Sequence, residues 1–418
     1  MPLALDAAAL DLTRFIRAGD TVVVAQGPAE PLTLTAALVA QADRIGPITV
    51  FIGATYSETF GPGEAPRIRY VSYGALGTNA RLARAGRLEV VPCHYSQLPA
   101  LFQAGPWKAD VVLLGVSPPV GGRATLGAAH GFALAAAQRA RVVLAEENDQ
   151  APWMHGGELP AGLRIDAIVR SSRPLPRYPD AVPGDLDRAV AARVAALIAD
   201  GATLQLGVGS VPDAVLEALA GHRDLGLHSG MLTSALLPLL ERGVVTNARK
   251  AIDAGVTVTG MLIGAERLYR HAHSNPALRL AGPDYTHAVG VIARLPGFVS
   301  VNSAVEVDLF GRVNAESAGA TYVGGIGGQT DFIRGAAAAP GGRAIIALPS
   351  ASRDGKASRI VERCVAVTTP AADADTIVTE WGVAELRGVP YAERARRMIA
   401  LAHPAFREPL AGAARRLP

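Results

Sequence analysis

The chain has 418 residues, of which 50% are hydrophobic, 18% charged and 5% aromatic. This composition excludes a disordered chain and suits two domains of about 200 residues each. Forty basic against 37 acidic residues give a formal charge of +3 without a Lys/Arg block, which argues against nucleic acid as a partner.

The opening segment MPLALDAAALDLTRFIRAGD lacks a basic start followed by an apolar core, and no run of 18 apolar residues follows. The expectation is a cytoplasmic chain with no membrane partner. Further on, TVVVA (21–25), PITVFIG (47–53), LEVVP (88–92), VVLLGVS (111–117) and RVVLAEE (141–147) read as buried strands. Between them, residues 31–45 and 130–141 space their apolar side chains as helices do. This alternation predicts a mostly parallel α/β sheet. The two cysteines, Cys93 and Cys364, are too few for a disulfide framework or a thiolate metal site.

A proline-rich stretch, 170–187, breaks the pattern and marks a domain boundary in the region 170–195, giving domains 1–185 and 186–418. Beyond it the chain begins again. Ile16–Val24 matches Ile198–Leu206, and Gly27 falls on Gly209 at the same offset. Each copy reads as helix end, glycine, strand, glycine turn and new helix. Two similarly folded α/β domains with a site in the cleft between them are expected, the alternative being chance likeness between two ordinary α/β openings.

In the second half, Gly207-Val208-Gly209-Ser210-Val211 follows a predicted strand (203–206) and precedes a predicted helix (213–219). Such a turn directs backbone N–H groups at a pyrophosphate, a carbonyl or an oxyanion. Pro212 spoils the GxGxxG fingerprint, so a nicotinamide site is disfavoured. Gly324, Gly325, Gly327 and Gly328 form a second cluster, a costly composition for a bland loop and one that permits close backbone approach to a ligand. Between predicted strands at 344–348 and 364–368, Lys356 and Arg359 suit ligand phosphates as well as they suit a solvated loop.

Taken in order, GDTVVVAQGPAEP, DGATLQLGVGSVPDAVL, DLGLHSGM, GVVTNARK, FVSVNSAVEVDLFGRVNAES, GGIGGQTDFIRGA and ALPSASRDGKASRIV are distinctive. Over nearly its whole length the chain resembles the acetyl-CoA hydrolase/transferase family, and most of all its 4-hydroxybutyrate CoA-transferase-like branch. The resemblance implies two CoA-transferase-type α/β domains and coenzyme A bound as an acyl-CoA substrate in the second half. It implies CoA contacts at Gly207–Val211, at Gly324–Gly328 and at Lys356. A homodimer or larger homo-oligomer is expected.

One departure matters for the chemistry. In the family a glutamate attacks the acyl-CoA carbonyl and then carries CoA as a glutamyl thioester. The segment that resembles its motif reads His228-Ser229-Gly230-Met231, which leaves Gly230 at the nucleophile position with no side chain to attack. Phe132, Trp153 and Met154 stand where the resemblance implies more polar residues, and they are expected to line a hydrophobic acyl pocket.

Other groups could supply chemistry. Glu306, Asp308 and Glu316 sit in family-like motifs and are expected to be structural; Glu147, after Glu146 at the end of a predicted strand, is the alternative carboxylate. His228 and Ser229 point to opposite faces of a strand and cannot act as a base–nucleophile pair. His228 alone, or His155, could serve as general base, whereas Ser229 has no identified activating base. His273, His287 and His403 show no metal-ligand spacing, and no metal is expected. The leading expectation is direct acyl transfer from acyl-CoA to an unknown bound acceptor or to water. The alternatives are a CoA-transferase working through another carboxylate and a non-catalytic CoA-thioester binder.

Overall fold

A computed structural model describes residues 2–63, 65–178 and 181–415; Pro179 and Asp180, within the proline-rich stretch, lie outside the described residues. The chain forms two compact units. The first comprises Met1–Pro179, Val258–Thr286 and Tyr322–Gly327, and the second Asp180–Thr257, His287–Thr321 and Gly328–Pro418. A single boundary does not anticipate the two short segments that join the first unit. Backbone hydrogen bonds place them there: His130 N–H to the Gly260 carbonyl (3.0 Å), Leu262 N–H to Ala128 (2.8 Å) and Ala75 N–H to Gly324 (2.7 Å).

The large sheet of the first unit holds β1 (Leu3–Leu5), β2 (Thr21–Val24), β3 (Ile48–Phe51), β4 (Ile68–Ser72), β5 (Leu88–Val90), β6 (Val111–Val116), β7 (Val142–Asn148) and β8 (Ala167–Ser171). They form one sheet in the order β1-β8-β7-β6-β2-β3-β4-β5, parallel throughout. Val22, Val24, Val50, Leu113 and Leu144 are buried on its central strands. The predicted helix over 31–45 is interrupted at Gln41 (φ −104°, ψ 6°), leaving helix α1 (Leu32–Ala40) and a short turn of helix after it.

Six strands of the second unit share a large sheet: β9 (Thr203–Leu206), β10 (Gly226–Ser229), β11 (Phe298–Asn302), β12 (Arg343–Ala347), β13 (Thr376–Thr379) and β14 (Gly382–Glu385). Their order is β10-β9-β11-β12-β13-β14, parallel except for the last pair. The internal likeness read from sequence therefore extends to topology. β2 lies between β3 and β6 and is followed outward by β7 and β8; β9 lies between β10 and β11 and is followed by β12 and β13. The matched glycines also share a backbone need, with φ +88° at Gly19 and +81° at Gly201, and +58° at Gly27 and +130° at Gly209.

The predicted strand at 364–368 is absent. Its backbone is held by side chains instead: Cys364 N–H meets Asp308 (3.4 Å) and Val365 N–H meets Glu306 (3.0 Å), which removes these groups from any ladder.

Candidate active site

The carboxyl ends of parallel strands are where α/β proteins gather their ligands. In the second unit β9 runs into the turn Gly207–Gly209 and then into helix α2 (Ser210–Ala218). The helix starts three residues before its predicted position, because Pro212 sits in the first turn, where a missing N–H has no intrahelical partner to lose. At Gly209 a Cβ would meet nothing within 4 Å, so this turn is open, and the first-turn N–H groups of Ser210 and Val211 lie at the positive end of the helix. Gly207 donates to the Val301 carbonyl at 2.9 Å. Beside it Gln205 and Asn302 clasp each other through reciprocal amide hydrogen bonds of 3.1 and 3.0 Å.

β10 pairs with β9 so that Leu227 faces Leu204, which carries Ser229 alongside Leu206 and brings Gly230 to the same sheet edge. His228 and Ser229 are both buried. The Ser229 hydroxyl donates to the Leu206 carbonyl (3.3 Å) and accepts from Met231 N–H (3.4 Å), the bonds of a residue that shapes a turn.

Gly230 is glycine for reasons of space. Its φ is not among the positive ones, so the backbone would accept any residue. A Cβ there, however, would lie 2.7 Å from both Cε1 and Nε2 of His287 and 3.5 Å from Phe332. The same imidazole fills the space beside Gly328, where a Cβ would approach its Cδ2 and Nε2 to 2.3 and 2.4 Å. Gly328 precedes helix α3 (Gln329–Ala338) and has an ordinary φ of −96°. Two glycines thus make room for one histidine ring, which is 5% exposed and packs 4.5 Å from the Phe332 ring. Burial, with the nearby His228 adding to it, depresses the His287 imidazole to about 3, so it is neutral at physiological pH. The sequence reading set His287 aside for want of ligand spacing. The sheet edge places it at Gly230, next to the residues that were singled out.

The second glycine cluster divides. Gly324 and Gly325 approach the chain itself: a Cβ on Gly325 would lie 3.1 Å from the Gly74 Cα and 3.2 Å from the Tyr73 carbonyl oxygen. Gly327 has φ +53°, and its carbonyl accepts from Tyr95 N–H at 2.9 Å. These contacts, all within the first unit, account for the glycines without a ligand. Lys356 stands exposed in a short hairpin closed by the Ala351–Ser358 bridge, near Gly355 (φ +71°). Among the described residues it forms no ion pair.

In the first unit the residues expected to line an acyl pocket belong to the interior. Phe132 is fully buried, stacked 5.7 Å from Phe102 and edge-on to Phe51 at 5.1 Å. Met154 is fully buried, and Trp153, 6% exposed, donates its indole N–H to the Arg123 carbonyl at 2.7 Å. Core packing gave these large apolar side chains the same sequence signature that a pocket would. His155 packs edge-on against Trp153 at 4.9 Å. Glu147 pairs with Arg170 on the neighbouring strand (3.1 Å). Glu146 points to the other face, where it accepts from the Thr33 and Leu34 N–H groups (2.7 and 3.3 Å) and so caps α1. Glu30, which the sequence reading passed over, is buried beside Ser57 and Thr35, and burial pushes its carboxyl up to about 7.

The spare carboxylates of the second unit are also engaged. Asp308 is fully buried on Arg312 (2.5 Å), Glu306 accepts from Asn314 (3.0 Å), and Glu316 accepts from Thr368 (2.8 Å).

A duplicated, mostly parallel α/β architecture with a glycine turn feeding a helix at the carboxyl edge of a sheet defines the class of fold. Comparison with known proteins narrows it. The N-terminal domain of acetyl-CoA hydrolase/transferase matches residues 7–172 and its C-terminal domain residues 264–414. The chain is 38% identical over 399 residues to the 4-hydroxybutyrate coenzyme A transferase of Clostridium kluyveri, covering 93% of this chain and 92% of that one. Its fold is similar to that of RipA from Yersinia pestis, with a TM-score of 0.89 at 33% identity over 97% of this chain and 95% of that one. It is also similar to the 4-hydroxybutyrate CoA-transferase of Porphyromonas gingivalis, with a TM-score of 0.83 at 33% identity over 99% and 97%. The chain belongs to the acetyl-CoA hydrolase/transferase family.

Proposed function

We propose that the protein uses an acyl-CoA and passes the acyl group directly to a bound acceptor or to water, with no CoA ester of an enzyme carboxylate on the way. The observation that carries this reading is Gly230. It matches the nucleophile position in the resemblance, it has no side chain, and the direction a side chain would take is filled by His287. Engagement of Glu306, Asp308, Glu316 and Glu147 in local hydrogen bonds and ion pairs weighs against a substitute carboxylate.

In this reading the turn Gly207–Val211 holds the thioester. Its N–H groups meet the carbonyl oxygen as negative charge develops, and they are already oriented by the helix that follows. Lys356, exposed and without an ion pair among the described residues, meets a CoA phosphate. His228, Ser229 and Gly230 surround the place where the acceptor attacks. Coenzyme A as substrate and the carboxylate acceptors of relatives such as the cyclohexane-1-carboxylate CoA transferase of Geobacter metallireducens support the thioester chemistry. The acceptor itself differs in this proposal.

The test is release of free CoA thiol from a panel of acyl-CoAs, with and without acetate, amines and alcohols. Release that proceeds in water and accelerates with neutral acceptors is expected. Exchange that requires a carboxylic acid would favour a conventional CoA-transferase, and binding without release would favour a non-catalytic binder.

A further inference from the structure

We infer that the first unit carries a further ligand site, a cleft at the amino ends of β2, β3 and β4, and that it takes a small apolar carboxylate, a compact hydrocarbon body with one negative head. The inference stands apart from the acyl-transfer reading, since it uses neither the Gly207–Val211 turn nor Gly230.

One face of the first sheet is incompletely covered, whereas a parallel sheet ordinarily has both faces packed. Side chains alternate along each strand, so Val22, Val50, Ile68 and Tyr70 enter the hydrophobic cluster on one face. Thr21, Thr49, Phe51, Arg69 and Val71 belong to the other. There Phe102 and Phe132 cover Phe51, with ring centroids 5.2 and 5.1 Å away. Toward the amino ends the cover stops: Thr21, Thr49 and Val71 are half-buried and Arg69 is exposed. The gap is a cleft of about 330 Å³. Small-molecule sites begin at about this size, roughly 300 Å³.

Its lining has an aromatic part and a polar part. Trp107, in the loop after the helix Leu98–Gln103, packs 4.8 Å from Phe51 and 5.2 Å from Phe102, and lines the cleft together with Val71. On the polar side the strand register sets Thr21 beside Thr49 and Thr49 beside Arg69, a row of three side chains across neighbouring strands. Among the described residues neither threonine hydroxyl has a hydrogen-bond partner.

Charge selects the head group. The charged side chains lining the cleft, Arg69 and Lys108, are both cationic. Arg69 is already paired with Glu89, and the nearby Asp110 carboxylate accepts from the Thr21 N–H at 2.8 Å. Lys108 is exposed and makes no ion pair among the described residues. A carboxylate can accept from Lys108 and the two hydroxyls while its hydrocarbon lies on Trp107, Phe51 and Val71. An amine would meet like charge, and a polyphosphate would bring more negative charge than one free cation answers.

The experiment titrates the full chain with phenylacetate, benzoate and hexanoate, and with benzyl alcohol and benzylamine as neutral and cationic counterparts, followed by ligand NMR and tryptophan fluorescence. The carboxylates are expected to bind at low salt, with benzyl alcohol about tenfold weaker or more and benzylamine not bound. Lys108→Ala, at an exposed position, is expected to lower phenylacetate affinity about tenfold, and Lys108→Glu further. Trp107→Phe keeps an aromatic wall, so binding should persist by NMR while the fluorescence change disappears, with Trp153 and Trp381 still present. Unchanged phenylacetate affinity in both Lys108 variants, a fluorescence change that survives in Trp107→Phe, or equal affinity for phenylacetate and benzyl alcohol would overturn the assignment. So would a Lys108→Glu protein that loses self-association while wild type binds no carboxylate, which would give the cleft to a second copy of the chain.

Discussion

Gly230→Glu is expected to destabilise the protein severely rather than to restore a nucleophile. Its Cβ would fall 2.7 Å from two atoms of a buried imidazole that packs against Phe332. Even Gly230→Ala carries this overlap, and overpacking a filled interior typically costs about 1–3 kcal/mol. Glutamate adds a carboxylate to a buried, aromatic site, so its penalty is larger. In a His287→Ala background the ring is gone, and the same Gly230→Ala step should be neutral or stabilising because the new methyl fills space. A double-mutant cycle followed by thermal or denaturant unfolding should thus show a coupling of about 1–3 kcal/mol, with the second substitution compensating the first. Additive effects would mean that Gly230 and His287 do not share this space. If a carboxylate nucleophile can be reinstalled at all, it is in Gly230→Glu combined with His287→Ala.

Acid should destabilise the native protein through the same ring. In the native state His287 is depressed from 6.5 to about 3, and the unfolded chain recovers the ordinary value. Between these limits the unfolded state binds a proton that the native state refuses. Stability is therefore fully present above pH 6.5 and declines as the pH falls toward 3, by up to about 1.4 kcal/mol per pH unit for this one group. Glu30 acts in the opposite sense: raised from 4.5 to about 7, it keeps its proton longer in the native state, so its contribution falls as pH rises across that range. The two overlap between pH 4.5 and 6.5, and total stability alone will not separate them. The comparison of wild type with His287→Gln does, since Glu30 is common to both. Wild type should lose stability between pH 6 and 5 more steeply than His287→Gln, by roughly 1 kcal/mol. Parallel curves would show that His287 is not buried neutral.

Much of this architecture is legible in the sequence because it is written in local patterns. The runs at 21–25, 47–53, 88–92, 111–117 and 141–147 each hold a strand, and the duplicated glycine–strand–glycine opening announces a repeated topology. Strands toward the margins of the sheet are less uniformly legible, and three of them carry weak patterns. Leu3–Leu5, Ile68–Ser72 and Ala167–Ser171 are short or interrupted by charged residues, and their pairing is decided by neighbours distant in sequence. The glycine cluster at 324–328 looked like a ligand loop because glycine reports close approach without saying to what. Here Gly325 approaches Gly74, and Gly328 makes way for His287. Trp153 and Phe132 failed to separate pocket from core for a related reason, since large apolar side chains serve both. His287 could not be found by spacing, because 57 positions of chain separate it from Gly230 and only the folded sheet edge joins them. The one available signal was reciprocal: a glycine at a position where the resemblance implies a long side chain asks which other residue fills the gap.

The central claim is that no enzyme–CoA ester forms. The most direct measurement is intact-mass spectrometry of the protein incubated with acyl-CoA, with and without borohydride, which reduces glutamyl thioesters. The account predicts an unchanged protein mass and full retention of activity after borohydride treatment in the presence of acyl-CoA. A protein carrying the added mass of CoA, or inactivation by borohydride that depends on acyl-CoA, would contradict it.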